Sequence, residues 1–166
     1  MFAALHRCRP RLSVVALIAI LIGVFAVMPS ATADHGHRHG RHIEHFLALG
    51  TDPNATSFAL IAKGPIHAKG TDTPVSNNRD RFKFPRGTLS VEHHATKPGK
   101  SSTDATTCLS TFTEHGTYRV TGGTRAYEDA RGHGRYTLRV LVVACDPKAA
   151  PEVFILKITA SGPLHL

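Results

Sequence analysis

Five histidines, His35, His37, His39, His42 and His45, crowd the segment Asp34 to His45, which reads DHGHRHGRHIEH. Neutral imidazoles ligate copper, nickel and zinc, so a mobile chain carrying five of them is a candidate transition-metal binder. Asp34 would add a free amine beside His35 if it became the amino terminus. The segment has no cysteine and no fixed ligand spacing, which argues against a structural zinc site. Its alternative role is a solvated linker whose charge rises as pH falls toward ~6. Metal binding outside the arm would turn attention to His93 or His94. The chain has three cysteines, Cys8, Cys108 and Cys145. No Cys-x-x-Cys, Gly-x-Ser-x-Gly, phosphate-cradling or His-Glu-x-x-His pattern is present, so redox, hydrolase, nucleotide and zinc-protease readings lack a motif. Cys108 and Cys145, 37 positions apart, are expected to form one structural bridge.

The leader predicts where that bridge would form. Residues up to Arg11 are basic, Val14 to Val27 carry no polar side chain, and Pro29-Ser30-Ala31-Thr32-Ala33 follow. This is the pattern of a secretory signal peptide over residues 1–33, cut before Asp34, and it places the protein outside the cell. The apolar run is shorter than the ~20 residues that span a bilayer, so no stable membrane span is expected after cleavage. Cleavage removes Cys8 with the leader. The 166 residues carry a formal charge of +8, and residues 34–166 retain 17 Lys and Arg against 12 Asp and Glu. Arg79, Arg81, Lys83 and Arg86 are interrupted by an acid and lack stacking aromatics, so no nucleic acid partner is expected. Asn54-Ala55-Thr56 fits a glycosylation acceptor for a cell that glycosylates its exports.

Positioning falls to residues 46–166, since residues 34–45 have almost nothing to bury and read as a flexible arm. Short β-branched runs punctuated by Gly, Pro, Asn and Asp read as all-β. Phe58, Leu60, Ala62, Gly64, Ile66 and Ala68 share one face of a strand, and Leu156, Ile158, Ala160, Gly162, Leu164 and Leu166 repeat that order at the carboxyl end. Pro65 and Pro163 lack an N–H and should bend each strand or take it out of its ladder. Further strands are expected near 81–84, 88–94, 107–113, 117–121 and 134–144, with turns at 71–78, 97–103, 114–116 and 146–151. The fold class is a closed antiparallel β-barrel of about eight strands, with a two-sheet sandwich as the alternative. The matching end strands predict that the segments centred on Ala62 and Ala160 lie side by side and close it. Leu60, Ala62, Ile66, Ile158, Ala160 and Leu164 then become candidate ligand contacts.

Gly116 to Tyr136 reads GTYRVTGGTRAYEDARGHGRY. It resembles the strand, turn and strand signature of the allene oxide cyclase barrel and dirigent proteins, through Gly122, Gly123, Thr124, Tyr127, Ala130, Arg131 and Gly132. Phe84-Pro85-Arg86-Gly87-Thr88 is similar to a run in small secreted bacterial members. Arg125 stands where the pattern has a third glycine, and Ala126 where many dirigent proteins have an acid. The resemblance implies an eight-stranded barrel with an apolar cavity that binds a small hydrophobic molecule and steers its cyclisation or isomerisation, with no cofactor required. Arg131, Tyr118, Tyr127 and Glu92 are the candidate polar groups, with Arg131 placed near a cavity mouth. The alternatives are a non-catalytic extracellular carrier, a metal-binding protein that uses its histidine arm, and a solid barrel that binds other proteins; oligomerisation is open to each. A cavity of ~300 Å³ or more with convergent polar groups separates the ligand readings from the solid barrel.

Overall fold

Inward and outward side chains begin to alternate at Ile43. The computed structural model describes residues 42–146 and 148–166, and these form nine strands: β1 (Ile43–Gly50), β2 (Phe58–Lys63), β3 (Ala68–Ser76), β4 (Arg79–Phe84), β5 (Gly87–Ala95), β6 (Lys100–Asp104), β7 (Leu109–Gly123), β8 (Arg131–Val143) and β9 (Val153–His165). All pairings are antiparallel. β1 to β5 pair in succession, β5 pairs with the second half of β7, and β7, β8 and β9 follow in order until β9 meets β1. The result is a closed eight-stranded barrel with β6 as one extra strand. Closure pairs every barrel strand on both sides, which a two-sheet sandwich would not do.

β6 lies on the same edge of β7 as β5 and continues its line, with Ala95 opposite Gly116 and Lys100 opposite Thr113. β6, the first half of β7, the second half of β8 and the start of β9 thus rise past the barrel rim as a four-stranded blade. The bridge between Cys108 and Cys145, with Cα atoms 4.9 Å apart, ties the β6–β7 turn to the β8–β9 connection. The Cys108 carbonyl also accepts the Ala144 N–H.

Closure differs from the expected side-by-side pairing of the Ala62 and Ala160 segments. β1 lies between them, with Phe46 opposite both Ala62 and Ala160. The barrel therefore begins at Ile43 rather than Phe46, and His45 belongs to a strand, opposite Lys63 and Ser161. β1 was hidden because its polarity is inverted: Glu44 is fully buried while Ile43 and Leu49 are exposed. The stretch 71–78 is mostly strand, as is much of 97–103, and 114–116 is the uninterrupted middle of β7. Residues 1–41, which include the expected leader and His35, His37 and His39, lie outside the described residues.

One end of the barrel is closed by packed side chains. Ile66, Leu89, Val120, Ala130 and Leu164 are each at most 2% exposed, and Tyr127 packs edge-on against Phe84 at 6.1 Å. Gly64, at φ +155°, and Pro65 take the chain out of β2 before β3 begins. The Glu44 carboxylate takes over from the ladder there, accepting the Ile66 N–H at 2.7 Å. Burial pushes the Glu44 pKa up, while hydrogen bonds from the Ile66 and His45 backbone pull it back.

Candidate functional site

Among the described residues, the other end of the barrel, beneath the blade, is open. Period-two alternation sends Phe46 and Ala48 of β1, Leu60 of β2, Phe82 of β4, Val91 of β5 and Tyr118 of β7 into the interior. They form the walls of an apolar cavity of about 250 Å³. Phe46 fixes one side, with its ring 5.2 Å from Phe82 and 6.1 Å from Tyr118, both edge-on. Leu138 of β8 and Leu156 and Ile158 of β9 carry the lining upward. The volume falls just under the ~300 Å³ at which drug-sized pockets begin.

Polar groups converge on this cavity. Asp72 of β3 is 2% exposed, and its Oδ1 has no hydrogen-bond partner among the described residues. Its cross-strand neighbours are Phe58 on β2 and Phe82 on β4, so the ladder brings it apolar rings rather than donors. Desolvation, helped by the charge of Asp80, pushes the Asp72 carboxyl up to about 7. Asp80 faces His93, with Oδ2 3.3 Å from Nε2. Burial raises the Asp80 pKa and His93 opposes that shift. Tyr136 donates its hydroxyl to Glu114 Oε1 at 2.7 Å and packs edge-on against the His93 ring at 5.7 Å. Burial first, and the bond to Glu114 second, raise the Tyr136 pKa. Burial lifts Tyr118 to about 12, with a smaller contribution from Glu44.

No family model, curated protein or solved structure matches this chain.

Of the residues singled out from sequence, Leu60, Ile158, Ala160 and Tyr118 line the cavity. Ala62, Ile66 and Leu164 are buried, but they belong to the packing outside its lining. Arg131 is exposed at the far end of the barrel, opposite His165, and donates to its neighbour's carbonyl on Ala130 at 2.7 Å. Placing it near the cavity mouth was incorrect, because β8 must run from Arg131 to Tyr136 before it reaches the lining. Tyr127 also sits at the closed end, in a short 3-10 turn over Arg125–Tyr127. Glu92 points outward and pairs with Arg79 at 2.9 Å. His42 is exposed and His45 stands on the outer face of β1. Among the described residues, no group of three or more His, Cys, Asp or Glu is placed to hold a metal ion.

Sequence reasoning missed Asp72, Asp80, Glu114 and Tyr136. Asp72 carried a usable signal, since Gly70, Asp72 and Pro74 keep period two with Ala68. It was obscured because Thr, Asp, Pro, Ser and Asn are also turn residues.

Proposed function

We propose that this protein binds a small apolar molecule inside its barrel, at the open end beneath the blade. One observation carries the reading: an apolar cavity whose wall holds a buried carboxyl with an unpartnered oxygen. Buried polar atoms are nearly always satisfied, so an orphan on a cavity wall is best explained by a partner that arrives with a ligand. The size of the cavity selects a ligand of modest bulk, or one whose tail leaves along the inner face of the blade. The bridge between Cys108 and Cys145 fits an oxidising compartment and supports secretion as part of this reading. Among the described residues, no helix is long and apolar enough to cross a membrane.

A second reading rests on Asp72 as well. A carboxyl that titrates near neutral pH beside an apolar pocket is poised to give or take a proton. Together with the resemblance carried by Gly122 to Gly132, this supports steering of a cyclisation or isomerisation of the bound molecule. The binding reading is tested by titrating the protein with the apolar fluorophore N-phenyl-1-naphthylamine. Saturable binding at one site is expected, with affinity at least tenfold weaker in Ala160→Phe and Ala48→Leu, whose added side chains occupy the cavity. Undiminished binding in both variants, with melting transitions intact, would overturn it.

A further inference from the structure

The polar chemistry of the cavity is lopsided. On a chain with 20 Lys and Arg against 12 Asp and Glu, three carboxyl groups line this one space, from Asp72, Asp80 and Glu114. Among the described residues, His93 is the one basic side chain in the lining, and no Lys or Arg joins it. Two of the three carboxyls already have partners, Asp80 facing His93 and Glu114 accepting from Tyr136. Asp72 Oδ1 has none among the described residues. A ligand carboxylate or phosphate would meet repulsion here. A neutral hydroxyl would gain one ordinary hydrogen bond, whereas an ammonium gains a charge-assisted one, roughly twice as strong, in surroundings that screen it weakly.

We propose that the ligand of this cavity is an apolar amine, whose ammonium group pairs with Asp72 while its hydrocarbon body lies against Phe46, Leu60, Phe82 and Ile158. This rests on the reading of the cavity as a binding site and names the chemical class it takes. The ammonium fills the vacant acceptor that the ladder leaves on β3. It also shifts the proton balance: the empty site holds the Asp72 proton until about pH 7, and pairing with a cation releases it. Amine binding therefore strengthens with rising pH, by about tenfold between pH 6 and pH 8. Among the described residues, the other titratable groups on the same cavity are Asp80 of β4, His93 of β5, Glu114 and Tyr118 of β7 and Tyr136 of β8. Protonation of Asp80 or His93 would weaken a cation in the same direction, so the Asp72 share is isolated by substitution.

Three matched probes separate the possibilities: 1-naphthylmethylamine, 1-naphthylmethanol and 1-naphthoic acid, each titrated calorimetrically into the intact chain, Asp72→Asn and Glu92→Gln at pH 6 and pH 8. The amine should bind at least tenfold more tightly than the alcohol at pH 8, and the acid should bind weakest. Asp72→Asn should abolish that preference and remove the Asp72 share of the pH dependence while still binding the alcohol, which shows that the cavity is intact. Glu92→Gln, outside the cavity, should leave the preference unchanged. An alcohol that binds as well as the amine, or a preference that survives in Asp72→Asn, overturns the amine inference and leaves the cavity reading standing. Failure of all three probes to bind overturns both.

Discussion

Two buried carboxyls at opposite ends of this barrel show how similar groups come to serve different ends. Glu44 is fully buried but accepts two backbone N–H groups, and it replaces a ladder that Gly64 and Pro65 interrupt. Glu44→Ala should cost about 1 to 3 kcal/mol in chemical denaturation by orphaning the Ile66 N–H, and Glu44→Gln should cost less because an acceptor oxygen remains. Asp72 gives the fold no such return. Its pKa rises from 3.8 to about 7 on folding, so the folded state keeps a proton that the unfolded chain releases. Stability linked to Asp72 is therefore fully present below about pH 4 and is lost as pH rises toward 7. Asp72→Asn should stabilise the protein at pH 8 by about 2 to 4 kcal/mol and change little at pH 4, as read from paired melting curves. A residue that weakens the fold at neutral pH and faces a cavity is better understood through what it binds. Equal effects of the substitution at both pH values would remove that argument.

At the scale of strands, the site depends on places where the chain does without a side chain. Gly116 sits mid-strand in β7, where a Cβ would run into the Tyr136 ring and the His94 carbonyl. Gly116→Ala should lower stability by about 1 to 3 kcal/mol and weaken probe binding by displacing Tyr136 from Glu114. A binding isotherm beside a denaturation curve separates the two effects. The same residue shows why the elements were only partly legible. Glu114-His115-Gly116 reads as a turn because glycine there signals flexibility, and its true reason, a ring from a strand twenty residues away, is invisible to local pattern. Clean alternation made β2, β4, β5 and β9 readable, and with them Leu60, Ile158 and Ala160. β3 was obscured by turn-forming residues and β1 by histidines and a buried acid, which took Asp72 and the true closure out of view. The blade follows a different rule. Among its described residues, both faces carry apolar side chains, Phe112, Val140 and Phe154 inward, Leu141, Val153 and Ile155 outward, so packing holds it less firmly than the barrel. Replacing Cys108 and Cys145 by Ser should cost about 2 to 5 kcal/mol, with faster hydrogen exchange concentrated in β6 and the neighbouring ends of β7 and β8.

For the molecule as a whole, the open cavity exists because the barrel is closed, and β1 is the strand that closes it. β1 pairs with β2 on one side and β9 on the other, so its loss would open both edges and expose the wall that Phe46 and Ala48 provide. A chain beginning at Phe46 keeps the cavity lining but drops Ile43, Glu44 and His45, along with the His42 carbonyl that accepts the Leu164 N–H. That cut takes away three ladder positions against β9 and the carboxylate beneath Ile66. At about 1 kcal/mol for each net hydrogen bond lost, it should destabilise the barrel by about 3 to 5 kcal/mol relative to a chain beginning at Asp34. Phe46 and Ala48 would remain in place at the top of β1 while the closed end loosens first. Hydrogen exchange should therefore quicken at Ile66, Leu164 and the end of β9 before it does at Leu60 or Phe82, and probe binding should fall less than stability. If the two chains melt alike, residues 42–45 do not hold the barrel shut, and closure depends on the β1 pairs from Phe46 onward.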